Sequence, residues 1–275
     1  MLSLQSPSKI NLFLRIIKRR NDSYHELASL FQTINLCDMM HFEEANNDVF
    51  TCNSPGLPTD ETNLVSKALR IFRKKIGIDR YFSIHLQKNI PQQAGLGGGS
   101  SNAATTLWAL NFICGEPASA SQLAEWGAEI GCDVPFFLSR GTAYCTGRGE
   151  VIRQMPSLEN IPLWIVKPLK GLSTPEIYKR LNVSLLPHRC PEEALASFFN
   201  LEMAQYFNDL EQPAFEVMPD LVAFKKKLIS LGFSVVLMSG SGSSFFCLGN
   251  GDPSTLSECF TFKARFINRE PGCWY

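Results

Sequence analysis

Residues 90–107 read IPQQAGLGGGSSNAATTL: four glycines within five residues, two serines, then a helix-like run. Glycine has no side chain to pack and is costly to order, so such a cluster marks a place where something must come very close to the backbone. The stripe that follows, Ala103, Leu107, Leu110 and Cys114, ends at Gly115, and its spacing predicts a helix opening at about Ser101. The first four N–H groups of a helix have no internal partner and carry partial positive charge. Leu96–Ser101 therefore fits an anion cradle, with the Ser100 and Ser101 hydroxyls available to phosphate or a magnesium ion. A flexible turn with a serine cap is the other reading. The stretch is neither GxxxxGK[ST], because no lysine follows, nor GxGxxG, because the last glycine is missing.

Outward from this loop, helices and strands mix without regular βαβ alternation. Ser8–Ile16 alternates, with Ile10, Leu12, Leu14 and Ile16 on one face and Lys9, Asn11, Phe13 and Arg15 on the other, which predicts a strand. Phe31–Leu36, Met39–Glu43 and Tyr81–Gln87 predict three more. Residues 61–76 predict a helix with Gly77 as its C-cap. Ser119 with Gln122 resembles a capping box for a helix closing near Gly131. Gly141–Gly149 reads as turn, and Pro156–Pro162 as the best linker. Leu163–Val166 is a short apolar strand. Residues 192–207 and 220–231 read as helices, the second striped by Leu221, Phe224, Leu228 and Leu231. Strands at 235–238 and 245–248 flank a second small-residue stretch, SGSGSS (239–244). That stretch is longer than a hairpin turn needs, so a second close backbone approach stands beside the plain hairpin. The fold class is α+β in two lobes, residues 1–156 and 157–275.

The chain has 275 residues, 45% of them hydrophobic, with 26 basic and 26 acidic side chains. A core of ordinary size is affordable, and zero net charge gives no reason to expect nucleic acid or a membrane surface as partner. No stretch approaches the roughly 20 apolar residues of a membrane span. Residues 1–20 resemble neither a signal nor a transit peptide, and nine scattered cysteines without ligand spacing suit a reduced, cytoplasmic protein. No metal-ligand constellation is present.

Three segments in order, SKINLFL, PQQAGLGGGSSNAA and LMSGSGSSFF, resemble the GHMP small-molecule kinases. RRNDSYHELASLFQTINLCD (19–38), GCDVPFFL (131–138), STPEIY (173–178) and NDLE (208–211) extend the likeness over most of the chain, least at 180–205 and the last 20 residues. The sequence departs from the family at Ser23, where glycine is frequent, at Asn102, where aspartate is, and at Cys132, where alanine is. The resemblance implies a ribosomal-S5-type lobe carrying the glycine loop, a ferredoxin-like C-terminal lobe, and a cleft between them.

It also implies an activity. ATP with Mg2+ would phosphorylate a small-molecule alcohol, within this family most closely the 2-hydroxyl of a cytidine-diphosphate-linked methylerythritol. Mevalonate-type, homoserine or sugar kinases are the alternative, and a non-catalytic nucleotide-binding protein is a third. Lys9 and Asp133 match the catalytic pair, although Asp133-Val134-Pro135 is also an ordinary helix start and Lys9 an ordinary strand lysine. Gly95, Leu96, Gly97, Gly98, Gly99, Ser100 and Ser101 would hold the ATP phosphates. Asn63 and Leu64 would border adenine, Asn63 being equally a first-turn helix residue. Asn11, Tyr24, His25, Thr174, Tyr178, Gly240 and Gly242 would meet the acceptor, with Tyr24, His25 and Tyr178 around cytosine. A monomer or weak homodimer is expected.

Overall fold

The computed structural model describes residues 1–200 and 203–275. Two long antiparallel strands dominate its first part: β1 (Leu2–Arg19) pairs with β2 (His25–Ala45) along nearly their whole length. Then come β3 (Val49–Cys52), α1 (Leu64–Ile76), β4 (Tyr81–Gln87), α2 (Gly98–Ile113), α3 (Ala120–Ile130), the single turn α4 (Val134–Phe137), β5 (Thr142–Gly147) and β6 (Val151–Gln154). The second part runs β7 (Pro162–Pro168), α5 (Thr174–Arg180), α6 (Pro191–Ala196), β8 (Phe207–Asn208), α7 (Glu211–Val217), α8 (Asp220–Ser230), β9 (Phe233–Met238), β10 (Phe245–Gly249) and β11 (Cys259–Arg265).

A seven-stranded sheet has the order β3-β4-β2-β1-β8, with β5 beside the first half of β2 and β6 beside β5. The other sheet has the order β11-β7-β10-β9, all antiparallel. Numbered within the lobe this is 4-1-3-2, the ferredoxin-like order expected above, but β10 reaches β11 without a crossover helix. Helices α1–α4 bury one core against the first sheet through Val65, Phe72, Leu107 and Phe136. A second core lies between the sheets, where Ile10, Leu12, Phe13 and Ile34 meet Ile165, Leu237 and Phe246. A third packs α5, α7 and α8 on the second sheet through Ile177, Leu221 and Phe245. The lobes also interlock by chain path. Strand β8 pairs with β1 at Phe13 and Leu14, Phe266 bridges to Ile34, and the Trp274 indole donates to the Gln5 carbonyl.

Several elements differ from the expectations. Phe31–Leu36 and Met39–Glu43 are parts of one strand, because a bulge, not a turn, absorbs the polar interruption: Ser8 pairs with Ile34 and Pro7 with Cys37. A second bulge after Asn11 ends the alternation of β1, so Phe13 leaves the Lys9–Asn11 face and joins the core with Ile10 and Leu12. Burying a side chain of that size contributes about 2–3 kcal/mol. Within Gly141–Gly149, Thr142–Gly147 is strand β5 and only the residues after it turn. The helix expected over 192–207 stops at Ala196, with positions 201–202 outside the described residues. Ser197 ends it by donating to the Ala194 carbonyl and accepting from Gln205 N. The Ser119–Gln122 capping box and the left-handed Gly77 cap are present. Among the described residues no helix is long and apolar enough to cross a membrane.

Candidate active site

Between the lobes lies a cleft of about 1060 Å³. One end is bordered by Leu57, Pro58, Asn63, Leu64 and Lys88, and the other by Tyr24, His25, Arg148, Thr174 and Tyr178. Gly95 to Ser100, Lys9, Asn11 and Asp133 line the middle.

The glycine loop turns on left-handed residues Gly95 (φ 72) and Gly97 (φ 70), and Gly97 caps α2. The helix thus opens at Gly98, a turn earlier than expected. Its first intrahelical bond runs from Ser101 N to Gly97 O, leaving the amides of Gly98, Gly99 and Ser100 to face the cleft at the positive end of a 16-residue helix. Ser101 points the other way. Its buried hydroxyl accepts from Ser6 Oγ at 2.8 Å, and it does not line the cleft. Beneath the loop, Asp38 is fully buried. It accepts from Asn89 N (2.7 Å), Ile90 N (2.8 Å) and Asn102 Nδ2 (2.9 Å) and pairs with Lys88. An aspartate at position 102 would set two carboxylates in contact, where the asparagine donates instead.

Lys9, on β1, is 4% exposed. Its ammonium donates to Asn11 Oδ1 at 2.7 Å, stands 4.5 Å from the Phe31 ring centre and lies 3.6 Å from Asp133 Oδ2. Asn11 is held by its own donation to Ser29 Oγ. Asp133 occupies the N-cap position of α4 but makes no side-chain cap bond. Its carboxylate is therefore free of the helix and turned to Lys9. Residues 124 positions apart thus form an acid–amine pair at mid-cleft.

At the far end His25 stacks on Tyr178, ring centres 5.1 Å apart, while Tyr24 is exposed beneath the Arg148 guanidinium at 5.0 Å. Burial, and then Arg19, hold the His25 imidazole below its ordinary value. Burial, and then Asp133, push the Tyr178 phenol up. The SGSGSS stretch is the β9–β10 turn and also the second close approach. Ser244 N donates to Ala94 O (3.2 Å) and Ser239 Oγ to Gly95 O (3.0 Å). Gly240 faces Lys9 and Asn11: a Cβ there would stand 3.4 Å from each polar tip. Gly242 does not line the cleft; its missing side chain makes room for Met238 Sδ and Leu172. Thr174 Oγ1 and Ser241 Oγ are 2.6 Å apart. Asn63 is the N-cap of α1, accepting from Val65 N and donating to Pro58 O.

Models of two domain families match the chain, the GHMP kinases N terminal domain over residues 63–141 and the GHMP kinases C terminal domain over 190–260. Over its whole length the chain is 53% identical to a 4-diphosphocytidyl-2-C-methyl-D-erythritol kinase of Protochlamydia amoebophila, covering 93% of that protein. The chain belongs to the GHMP kinase family. It is 46% identical to a chloroplastic/chromoplastic kinase of the same name from Solanum lycopersicum, covering 73% of it. A crystal structure of 4-(cytidine 5'-diphospho)-2C-methyl-D-erythritol kinase superposes with a TM-score of 0.83 at 32% identity, over 97% of this chain and 99% of that one. A mevalonate kinase structure, 14% identical with a TM-score of 0.68 over 98% of this chain and 100% of that one, shares the fold.

As a GHMP kinase the chain has an ATP-dependent phosphotransferase site, and Lys88, Asp38 and Arg148 were not singled out from sequence. Lys88 follows the end of β4, where a lysine is ordinarily solvated. Only the fold brings its ammonium within 3.2 Å of where a Gly98 Cβ would stand. Arg148 lay in a stretch read as turn. Among the described residues no three His, Cys, Asp or Glu side chains cluster as a metal site.

Proposed function

We propose that this chain transfers the γ-phosphoryl group of ATP to the 2-hydroxyl of 4-diphosphocytidyl-2-C-methyl-D-erythritol. The observation that carries this is the order along one cleft: helix-terminal amides, then the Lys9–Asp133 pair, then the His25–Tyr178 stack. Phosphoryl transfer asks mainly for positioning and charge stabilisation. The amides of Gly98, Gly99 and Ser100 suit the nucleotide phosphates, with Asn63 and Leu64 at the adenine end. Asp133 orients the acceptor hydroxyl and takes its proton, and Lys9, held by Asn11, offsets charge on the moving phosphoryl group. A neutral His25 can both donate to and accept from a cytosine edge, and a wrong base would leave those groups unpaired. Magnesium is read as arriving with ATP, which fits a cleft whose one mid-cleft carboxylate is Asp133 and whose Ser101 hydroxyl is turned inward.

In this reading residues 1–156 are the nucleotide lobe and 157–275 its partner. The site is complete within one chain, in keeping with a monomer or weak homodimer. Nine free thiols suit the cytosol.

The test is coupled ADP release with Mg·ATP, comparing the cytidyl acceptor with mevalonate, homoserine and galactose. Turnover of the cytidyl acceptor alone is expected. Turnover of another acceptor would keep the nucleotide end and overturn the substrate.

A further inference from the structure

The turn that faces Lys9 is held by a residue that does not line the cleft. Asn208, on β8, is 7% exposed, and all three of its side-chain bonds go to backbone. Its Nδ2 donates to Met238 O at 2.8 Å and to Gly240 O at 2.7 Å, and its Oδ1 accepts from Leu210 N at 2.9 Å. Two carbonyl partners on one nitrogen require the amide group at that end. The platform is stiff. Asn208 pairs with Leu14 on β1, the strand that carries Lys9 and Asn11, and its neighbour Asp209 donates N–H to Leu14 O while its buried carboxylate pairs with Arg15 and Arg189. One short strand therefore ties the Met238–Gly240 backbone to the strand bearing the catalytic lysine.

We propose that Asn208 is a positioning residue for the acceptor, setting the height of Gly240 over Lys9 and Asn11. The proposal rests on the acceptor lying at that end of the cleft. Gly240 has φ 54, and a Cβ there would stand 3.1 Å from Gly95 O and 3.4 Å from Asn11 Oδ1 and Lys9 Nζ. Release of its carbonyl would move the turn at the point where the acceptor approaches the reacting centre. The nucleotide amides have ties of their own, α2 and Lys9 N donating to Leu96 O at 2.9 Å, and the contacts of the second turn with residues 93–95 come from Ser239, Ser243 and Ser244 and not from the Gly240 carbonyl, so the larger effect falls on the acceptor.

Asn208→Asp keeps the shape and replaces the donor with a carboxylate facing two carbonyl oxygens. The expected result is a rise in acceptor KM of about tenfold or more, as for a lost buried hydrogen bond, with ATP KM changing less than about threefold. Acidification should narrow the gap between N208D and wild type, because a protonated carboxyl donates again to one carbonyl. Asn208→Ser, which keeps one short donor, should fall between. Acceptor binding by calorimetry must move in parallel with KM. An N208D enzyme with acceptor KM and affinity within twofold of wild type overturns the proposal. So does a variant whose ATP and acceptor constants worsen equally at every pH, since that is general loosening. The ratios are taken on whichever of the four acceptors above the wild type phosphorylates. A wild type active only on mevalonate, homoserine or galactose fails the cytidyl assignment, while the N208D ratio still decides for or against Asn208.

Discussion

The two glycine-rich turns, 95–101 and 239–244, are alike in composition and differ in how many of their amides are already bonded. In the first, three consecutive amides stay without internal partners at a helix start. In the second, four of the six amides are used: Ser239 N bonds Ser244 O, Gly242 N bonds Ser239 O, and Ser243 N and Ser244 N reach back to Gln93 O and Ala94 O, while Gly240 and Ser241 line the cleft. One turn leaves its helix-terminal donors to the cleft; the other uses two of its donors to dock on the segment before the first. Small residues are needed in both because backbone meets backbone. At Gly95 a Cβ would overlap the Ser239 carbonyl and stand 2.9 Å from Gly242 N. The glycine that opens the cradle thus owes its identity to the neighbouring turn.

That comparison can be broken at several points. What both turns enclose is the Lys9–Asp133 pair, and Asp133→Asn should lower kcat about a thousandfold. Its Tm should move by less than about 2 °C, because no cap bond is lost and the Lys9 ammonium keeps Asn11 Oδ1 and the Phe31 ring as partners. A large drop in Tm would return Asp133 to a helix-start role. Gly95→Ala should cost about 3 kcal/mol in urea unfolding, from a blocked lobe contact and a left-handed backbone. Gly99→Ala is the counterpart. Its Cβ would meet only Leu64 Cδ1 at 3.6 Å, so stability should hold or rise slightly, while ATP KM rises about fivefold as the methyl crowds the phosphate approach. An unchanged ATP KM in that variant would remove the cradle.

The smallest effect concerns pH. His25 has its pKa lowered from 6.5, so the neutral ring prevails at pH 7. Its share of stability is present above 6.5 and is lost as pH falls through the lower folded value. Acceptor KM should be flat on the alkaline side of 6.5 and rise only in acid, and His25→Gln should abolish that rise.

Much of this was legible locally. Gly77, the Ser119–Gln122 box and the alternation of Tyr81–Gln87 are written within a few residues, because caps and pleats are local devices. The lining of the cleft was legible through its glycines and through ordered motifs carrying Lys9, Tyr24, His25 and Asp133. Less legible were the elements whose limits depend on contact. A bulge moves Phe13 to the other face. A hydroxyl, Ser197, stops a helix that periodicity would continue. Two residues, Phe207 and Asn208, become a strand only because β1 offers an edge.

By itself, then, the sequence determined the kind of protein, the loop that opens α2 with partnerless amides, and most of the side chains that line the cleft. These follow from backbone freedom, donor counting and side-chain type. Only the tertiary structure decided that Ser101 faces inward to Ser6, that Asp38 and Lys88 underlie the cradle, that the second glycine turn closes on the first, and that Asn208 holds it there. Each of those depends on residues dozens to hundreds of positions apart, brought within 3 to 4 Å by packing that no local pattern encodes.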